Sequence, residues 1–278
     1  SEVAAMSKKF DILIVGGGPA GISAALTALN RGKRVGVIAN PPSTSKLYLA
    51  EKVTNYPGLD GSGSGIMEAM HRQLKDSAAE MIQGRALSVM PLGKTVGAAV
   101  GNDFFEASAV IVAAGISRRP VCTGETKFLG RGVSYCATCD GMLYKGKTVA
   151  VIGEGEEAEG DISFLRDIGC EVLTFSGKEK FDILGDAAAD TLVVDGKEHK
   201  TDCIFILKET LSAESLVPGI ETERGIIKTN HAGETNIKGV FAAGDCTGAP
   251  YQLAKAVGEG NIAALTACEY INSLTKEK

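Results

Sequence analysis

A chain of 278 residues that is 44% hydrophobic can bury a sizeable core, and its length favours two medium domains over one. A formal charge of -5, no lysine- or arginine-rich block and only 5% aromatic residues exclude a nucleic-acid binder, which needs a cationic stripe or stacking platforms. No uncharged apolar run is long enough to span a bilayer, so the expected location is cytoplasmic, without a membrane partner; residues 1–5, ahead of Met6, are read as an expression remnant.

The run FDILIV (10–15) is an apolar, β-branched strand that feeds into GGGPAG and then an apolar-periodic helix, ISAALTALNRG, stopping at Gly32. KRVGVIAN supplies a second strand. The following NPPSTSKLYLAEKVTNYPGLDGSGSG is rich in Pro, Gly and Ser and too long for a plain connector, so it is expected to line a site. IMEAMHRQLKDSAAEM is a helix with Ile66, Met70 and Leu74 on one face, and SAVIVAAG is another buried strand. After the crossing segment ISRRPVCTGE, the opening pattern repeats: strand TVAVI, a glycine turn, a helix to about Gly169, strand CEVLTF. GVFAAGD and the helical YQLAKAVGEGNIAALTACEYINSL return to strand-then-helix. The expected fold class is therefore α/β, with two Rossmann-like, three-layer ββα domains of nucleotide-binding type. Residues 1–117 and 240–278 form the first domain, and 118–239 form a second inserted into it.

Gly16, Gly18 and Gly21 make a GxGxxG directly between strand and helix. That spacing gives a tight turn, close backbone approach to a pyrophosphate and a helix N-terminus for its charge. The acidic residue that often closes the second strand is missing; Asn40 stands at that end and is able to hydrogen-bond a ribose.

The seven cysteines lie at 122, 136, 139, 170, 203, 246 and 268, with one close pair. In a reducing compartment this pattern reads as scattered core thiols plus one CxxC. Cys136 and Cys139, in CATC, are a redox dithiol; half of a zinc site is the rival reading, but there is no second CxxC or HxxxH among His71, His199 and His231. Asp140 follows, either as an acid/base for the dithiol or as a helix cap.

GGGPAG, NYPG, VIVAAG, SYCATCDG and GVFAAGD occur in an order and spacing that resemble the low-molecular-weight thioredoxin reductases over nearly the whole chain. The resemblance implies FAD in the first domain. Gly16, Gly18, Pro19, Ala20 and Gly21 would meet the pyrophosphate, and Asp245 the ribityl or phosphate groups. Asn55 and the backbone of Gln252, Leu253 and Ala254 would lie by the isoalloxazine. Gly115 and Gly244, within VIVAAG and GVFAAGD, are counted with the cofactor site. By the same resemblance Cys139 faces the flavin, Cys136 attacks the disulfide of thioredoxin, Asp140 manages the thiol proton, and the chain is a homodimer. Where the family has a GGQL-type turn this chain has TSKL, with Lys46 in the glutamine position, so contacts from that loop are not carried over.

The second glycine turn departs further. Family members bind NADPH through a small hydroxyl residue here and an HRRxxxR segment after the next strand; this chain has Glu157 and the run Ser176, Gly177, Lys178, Glu179. A carboxylate about 5 Å from a phosphate charge costs on the order of 3 kcal/mol at an effective dielectric of about 20, or roughly two decades in affinity. The missing arginines remove the 2′-phosphate clamp. NADPH is accordingly not expected, and the chain resembles the flavin-type ferredoxin:thioredoxin reductases, a branch that takes electrons from reduced ferredoxin. Flavin suits the exchange, because it accepts electrons singly and delivers two to a disulfide.

A dithiol that must serve both a buried flavin and a protein partner implies rotation of the second domain about connections near 116–120 and 236–240. Arg118, Arg119, Arg131 and Lys178 are candidates for docking an acidic partner such as ferredoxin. Three other readings stand beside this one: an NADPH-dependent thioredoxin reductase, an FAD-dependent dithiol oxidase using oxygen, and a flavin-containing redox sensor without turnover.

Overall fold

A computed structural model describes residues 8–115, 122–135, 137–153, 156–207 and 212–276. The chain divides into two compact units, Ser1–Ser117 with Thr210–Lys278, and Arg118–Glu209.

The first unit opens with β1 (Lys8–Val15), α1 (Pro19–Asn30), β2 (Val35–Ala39), the hairpin β3 (Val53–Tyr56) and β4 (Leu59–Gly61), and α2 (Gly63–Lys75). It continues through β5 (Glu80–Gln83), β6 (Ala86–Pro91), β7 (Val96–Val100) and β8 (Asp103–Val112). β5, β2, β1 and β8 are parallel neighbours, and β7 and β6 extend the sheet antiparallel from β8. Ile12, Leu13 and Ile14 are fully buried, as expected of a parallel strand covered on both faces.

In the second unit α3 (Glu125–Phe128), β9 (Val133–Ser134) and α4 (Ala137–Asp140) precede β10 (Thr148–Ile152), α5 (Glu156–Asp167) and β11 (Glu171–Phe175). β12 (Phe181–Gly185), β13 (Ala189–Val194), β14 (Lys197–Lys200) and β15 (Cys203–Ile206) complete it. A parallel sheet ordered β11-β10-β15-β9 packs on an antiparallel sheet ordered β12-β13-β14. Strand alternation divides the core. Ala150, Ile152, Ile204 and Ile206 cluster with Phe181 and Leu192, whereas Val149, Val151, Cys203 and Phe205 cluster with Ala137 and Leu165 beneath α4 and α5. The layering is the ββα arrangement expected from the repeated strand–turn–helix pattern.

The chain then returns to the first unit with α6 (Ala213–Leu216), the short pair β16 (Thr222–Glu223) and β17 (Ile226–Ile227), β18 (Val240–Ala242) beside the C-terminal half of β8, and α7 (Leu253–Lys276). Small residues set the α1–α7 approach: a Cβ on Gly260 would lie 2.1 Å from the Ala20 carbonyl oxygen, and Ser23 Oγ donates to the Val257 carbonyl at 2.7 Å.

This return corrects the expected boundary at 239. Leu216, Val217, Ile220 and Ile227 are buried, and α6 packs against β6, so residues 212–239 belong to the first unit's core. Residues 236–240, where a crossing is expected, likewise lie within the first unit. Asn236 ties its own segment together, accepting from the Glu221 N–H at 2.8 Å and donating to the Gly219 carbonyl at 2.9 Å. The other expected crossing, at 116–120, lies outside the described residues, as do Arg118 and Arg119. No described helix is long and apolar enough to cross a membrane.

Candidate functional site

At the C-terminal end of β1 the chain turns into α1 through glycines whose roles differ. A Cβ on Gly16, which has φ 118°, would sit 2.2 Å from the Ala113 carbonyl oxygen, and one on Gly21 would sit 1.9 Å from the Gly16 carbonyl oxygen. Both glycines are demanded by backbone packing. Gly18, the N-cap of α1, has nothing within 4 Å of its Cβ position, so its face is open. Pro19 opens the helix, no side chain caps it and its first turn holds no acidic residue, which leaves backbone donors for an anion. Ala20 abuts Gly244, where a Cβ would come within 2.7 Å of the alanine methyl.

Two buried polar atoms beside this turn have no partner among the described residues: Asn40 Oδ1, just past β2, and His71 Nε2 on α2, which lies 3.8 Å from the Cβ position of Gly17. An unsatisfied buried polar atom costs about 1–3 kcal/mol, so the pair fits a ligand bearing hydroxyl or phosphate groups. With the open glycine face and the bare helix terminus, these residues suit the dinucleotide half of FAD. Burial also pushes the His71 imidazole below its ordinary value.

Asp245 follows Gly244, which has φ 86°, and begins a 3-10 turn, Asp245–Thr247. Burial pushes its carboxyl up, Lys46 and Lys255 pull it down, and Glu259 adds to the rise. The turn is braced from α7. Lys255 Nζ donates to the carbonyls of Gly244 at 2.9 Å and Gly248 at 2.8 Å, and Glu259 Oε2 accepts the Gly244 N–H at 2.9 Å. No motif in the sequence marks Lys255 or Glu259.

Asn55 and Gln252, far apart in sequence, meet here: Asn55 Nδ2 donates to Gln252 Oε1 at 2.6 Å. The Gln252 N–H is spent on the Pro250 carbonyl at 2.9 Å, so the donors that open α7 are those of Leu253 and Ala254. Gly115, with φ 75°, closes the described part of the strand segment after β8.

In the second unit Cys136 lies outside the described residues, and Cys139 is placed in α4 without description of its side chain. Asp140 ends α4 and precedes the 3-10 turn Gly141–Tyr144 without capping it. Its Oδ2 instead accepts the Ser134 hydroxyl at 2.7 Å. The Tyr144 phenol is pushed up to about 12, by burial first and then by Cys203 and the charge of Asp140. Cys122, Cys170, Cys203, Cys246 and Cys268 are buried cysteines outside any disulfide, matching the core role expected of them.

After β11 the backbone turns on Glu179. Its carboxylate accepts the N–H groups of Ser176 at 3.3 Å and Gly177 at 3.0 Å and the Ser176 hydroxyl at 2.9 Å. Its own backbone N–H first, and then these bonds from Ser176 and Gly177, hold its carboxyl below the usual range. Residues 154–155 and the side chains of Glu156 and Glu157 lie outside the description.

The chain matches the family model described as pyridine nucleotide-disulphide oxidoreductase over residues 10–192 and 165–260. It is 30% identical to a thioredoxin reductase of Bacillus subtilis (strain 168), with 96% of each chain covered. It is also similar to two crystal structures of a ferredoxin-flavin thioredoxin reductase from Clostridium acetobutylicum. One has a TM-score of 0.89 and 36% identity, the other 0.86 and 38%, and each comparison covers 96% of this chain and 99% of the other.

Proposed function

We propose, for a chain that belongs to the pyridine nucleotide-disulphide oxidoreductase family and is a thioredoxin reductase-type flavoenzyme, that it reduces thioredoxin with electrons from reduced ferredoxin rather than NADPH. The observation that carries the choice of donor is Glu179. Its carboxylate takes backbone donors that follow β11, the segment where the family's arginine-rich clamp for a 2′-phosphate is expected, which supports a turn that no longer holds a phosphate. The likeness to the Clostridium acetobutylicum protein supports the same reading.

FAD, when bound, accepts electrons one at a time and delivers two to a disulfide. The first unit's part is to hold it. Gly16, Gly18, Pro19, Ala20 and Gly21 cradle the pyrophosphate, Asn40 takes a ribose hydroxyl, and Asp245 holds the ribityl or phosphate end. Asn55 and Gln252, with the N–H groups of Leu253 and Ala254, flank the ring system.

The second unit's part is exchange. Cys139 is the thiol assigned to exchange electrons with the cofactor and Cys136 the one assigned to attack thioredoxin; Asp140 takes and returns the thiol proton. Met142 and Leu143, 56% and 71% exposed just after Asp140, offer an apolar contact for a protein substrate beside the dithiol. The working form is a cytoplasmic homodimer.

The test is anaerobic: follow the visible flavin absorbance of oxidised protein after adding NADPH or reduced ferredoxin. Bleaching by ferredoxin alone supports the proposal. Rapid bleaching by NADPH establishes the second reading, an NADPH-driven reductase, which the pyridine-nucleotide description of the family favours.

A further inference from the structure

We propose that Ser134 is a positioning residue for Asp140, committing one oxygen of its carboxylate as a hydrogen-bond acceptor so that the other carries the proton of the dithiol. This rests on the reading of Asp140 as the acid/base of thiol exchange. Ser134 is 6% exposed and ends β9, where its register is fixed by pairing with Phe205 of β15. Asp140 stands where a helix cap would, yet makes no capping bond. Its carboxylate bends back six residues, and the 2.7 Å bond from Ser134 Oγ to Oδ2 joins the residues on either side of the CATC segment.

A charge-assisted bond of this length has directional force, and one donated from a strand is pre-positioned at no further cost. Ser134 holds Oδ2, and on the acid/base reading Oδ1 is the oxygen assigned to the thiol proton. The Tyr144 phenol nearby, pushed up to about 12 chiefly by burial, stays protonated and does not compete for the proton.

In the exchange with thioredoxin, the attacking sulfur bonds to one sulfur of the substrate disulfide as that S–S bond breaks. The proton lost by the attacking thiol passes to Oδ1 and then to the departing sulfur. No electron passes through Ser134 or Asp140; the pair needed comes from the reduced dithiol.

The test uses FAD-loaded protein whose dithiol has been reduced beforehand, mixed with oxidised thioredoxin in single turnover, so that the physiological donor does not enter. Ser134→Ala removes one oxygen and adds no bulk. It is expected to slow the rate at saturating thioredoxin about tenfold, leave the half-saturating concentration unchanged and alter the pH dependence of the ultraviolet thiolate absorbance. Ser134→Thr, which keeps the hydroxyl, is expected to restore the rate, and Ser134→Ala is expected to add nothing in an Asp140→Asn background. An unchanged rate in Ser134→Ala, or an equal slowing in both backgrounds, overturns the role of Ser134 while leaving the acid/base reading of Asp140 in place. An Asp140→Asn variant that turns over normally overturns both.

Discussion

Lys255 Nζ lies 2.9 Å from Glu259 Oε2 one helical turn further along α7, and together the two side chains hold the turn from Gly244 to Gly248. The lysine has 15% of its side chain exposed and the glutamate 32%, so this is not a pair screened on an open surface. It braces the turn that begins at Asp245, the residue proposed to hold the ribityl or phosphate end of the cofactor. Lys255→Met removes the donor of the Gly248 carbonyl and one donor each from the Gly244 carbonyl and Glu259, which keep their bonds from Thr247. The expected loss is about 2–3 kcal/mol of stability, read by denaturant unfolding, with a parallel loss of retained flavin. Glu259→Gln keeps an acceptor for the Gly244 N–H and should lose less.

The glycine turn separates fold from cofactor. Gly21→Ala drives a methyl into the Gly16 carbonyl, with its Cβ site 1.9 Å from that oxygen, and is expected to lower the melting temperature and abolish flavin binding together. Gly18→Ala meets no atom of the described residues within 4 Å and has an ordinary φ of -80°. Its methyl intrudes only on the open face, so the apoprotein should melt as the parent does while flavin retention collapses. Thermal unfolding of both apoproteins, alongside the flavin-to-protein absorbance ratio after desalting, checks the contrast.

What the sequence displays and what it hides follow from where the constraint arises. Gly16 and Gly21 were legible because a strand–turn–helix needs glycine where backbone meets backbone, and the buried strands because covered parallel strands are continuous apolar runs. Residues 212–239 belong to the first unit although their place in the chain suggests the second, because the burial of Leu216, Val217 and Ile220 comes from packing on the first unit, which no local period records. Lys255 and Glu259 look like a solvated helix face until α7 is seen to return to Gly244. Ser134 reads only as a strand end until the chain folds back at Asp140. Glu179 was visible as a missing arginine clamp, but its bonds to the Ser176 and Gly177 N–H groups were not.

His71 supplies a pH dependence. Burial lowers its folded value below the ordinary 6.5, so the unfolded chain takes up the proton first. The contribution to stability is full above about pH 6.5 and is lost as pH falls from there toward the folded value, below which the penalty is constant. His71→Gln removes the titration. The difference in unfolding free energy between parent and variant should therefore change with pH only in that window, as measured by denaturant titrations at a series of pH values. A flat difference across the window contradicts the burial of Nε2 as a neutral group.

Met142 and Leu143 give the partner surface its own test. Both project from the 3-10 turn that follows Asp140, exposed by 56% and 71%, so replacing them with serine costs the fold little. Large apolar side chains at the centre of a protein contact are worth about 1–2 kcal/mol each. The double variant Met142→Ser, Leu143→Ser is expected to raise the half-saturating thioredoxin concentration at least tenfold. The melting temperature, the flavin content and the rate of flavin bleaching by the electron donor should stay as in the parent, because none of these requires thioredoxin. Insulin-coupled thioredoxin reduction at varied thioredoxin concentration reads the first quantity. An unchanged half-saturating concentration would move the docking surface away from this turn, while a loss of bleaching would assign the two side chains to the donor instead.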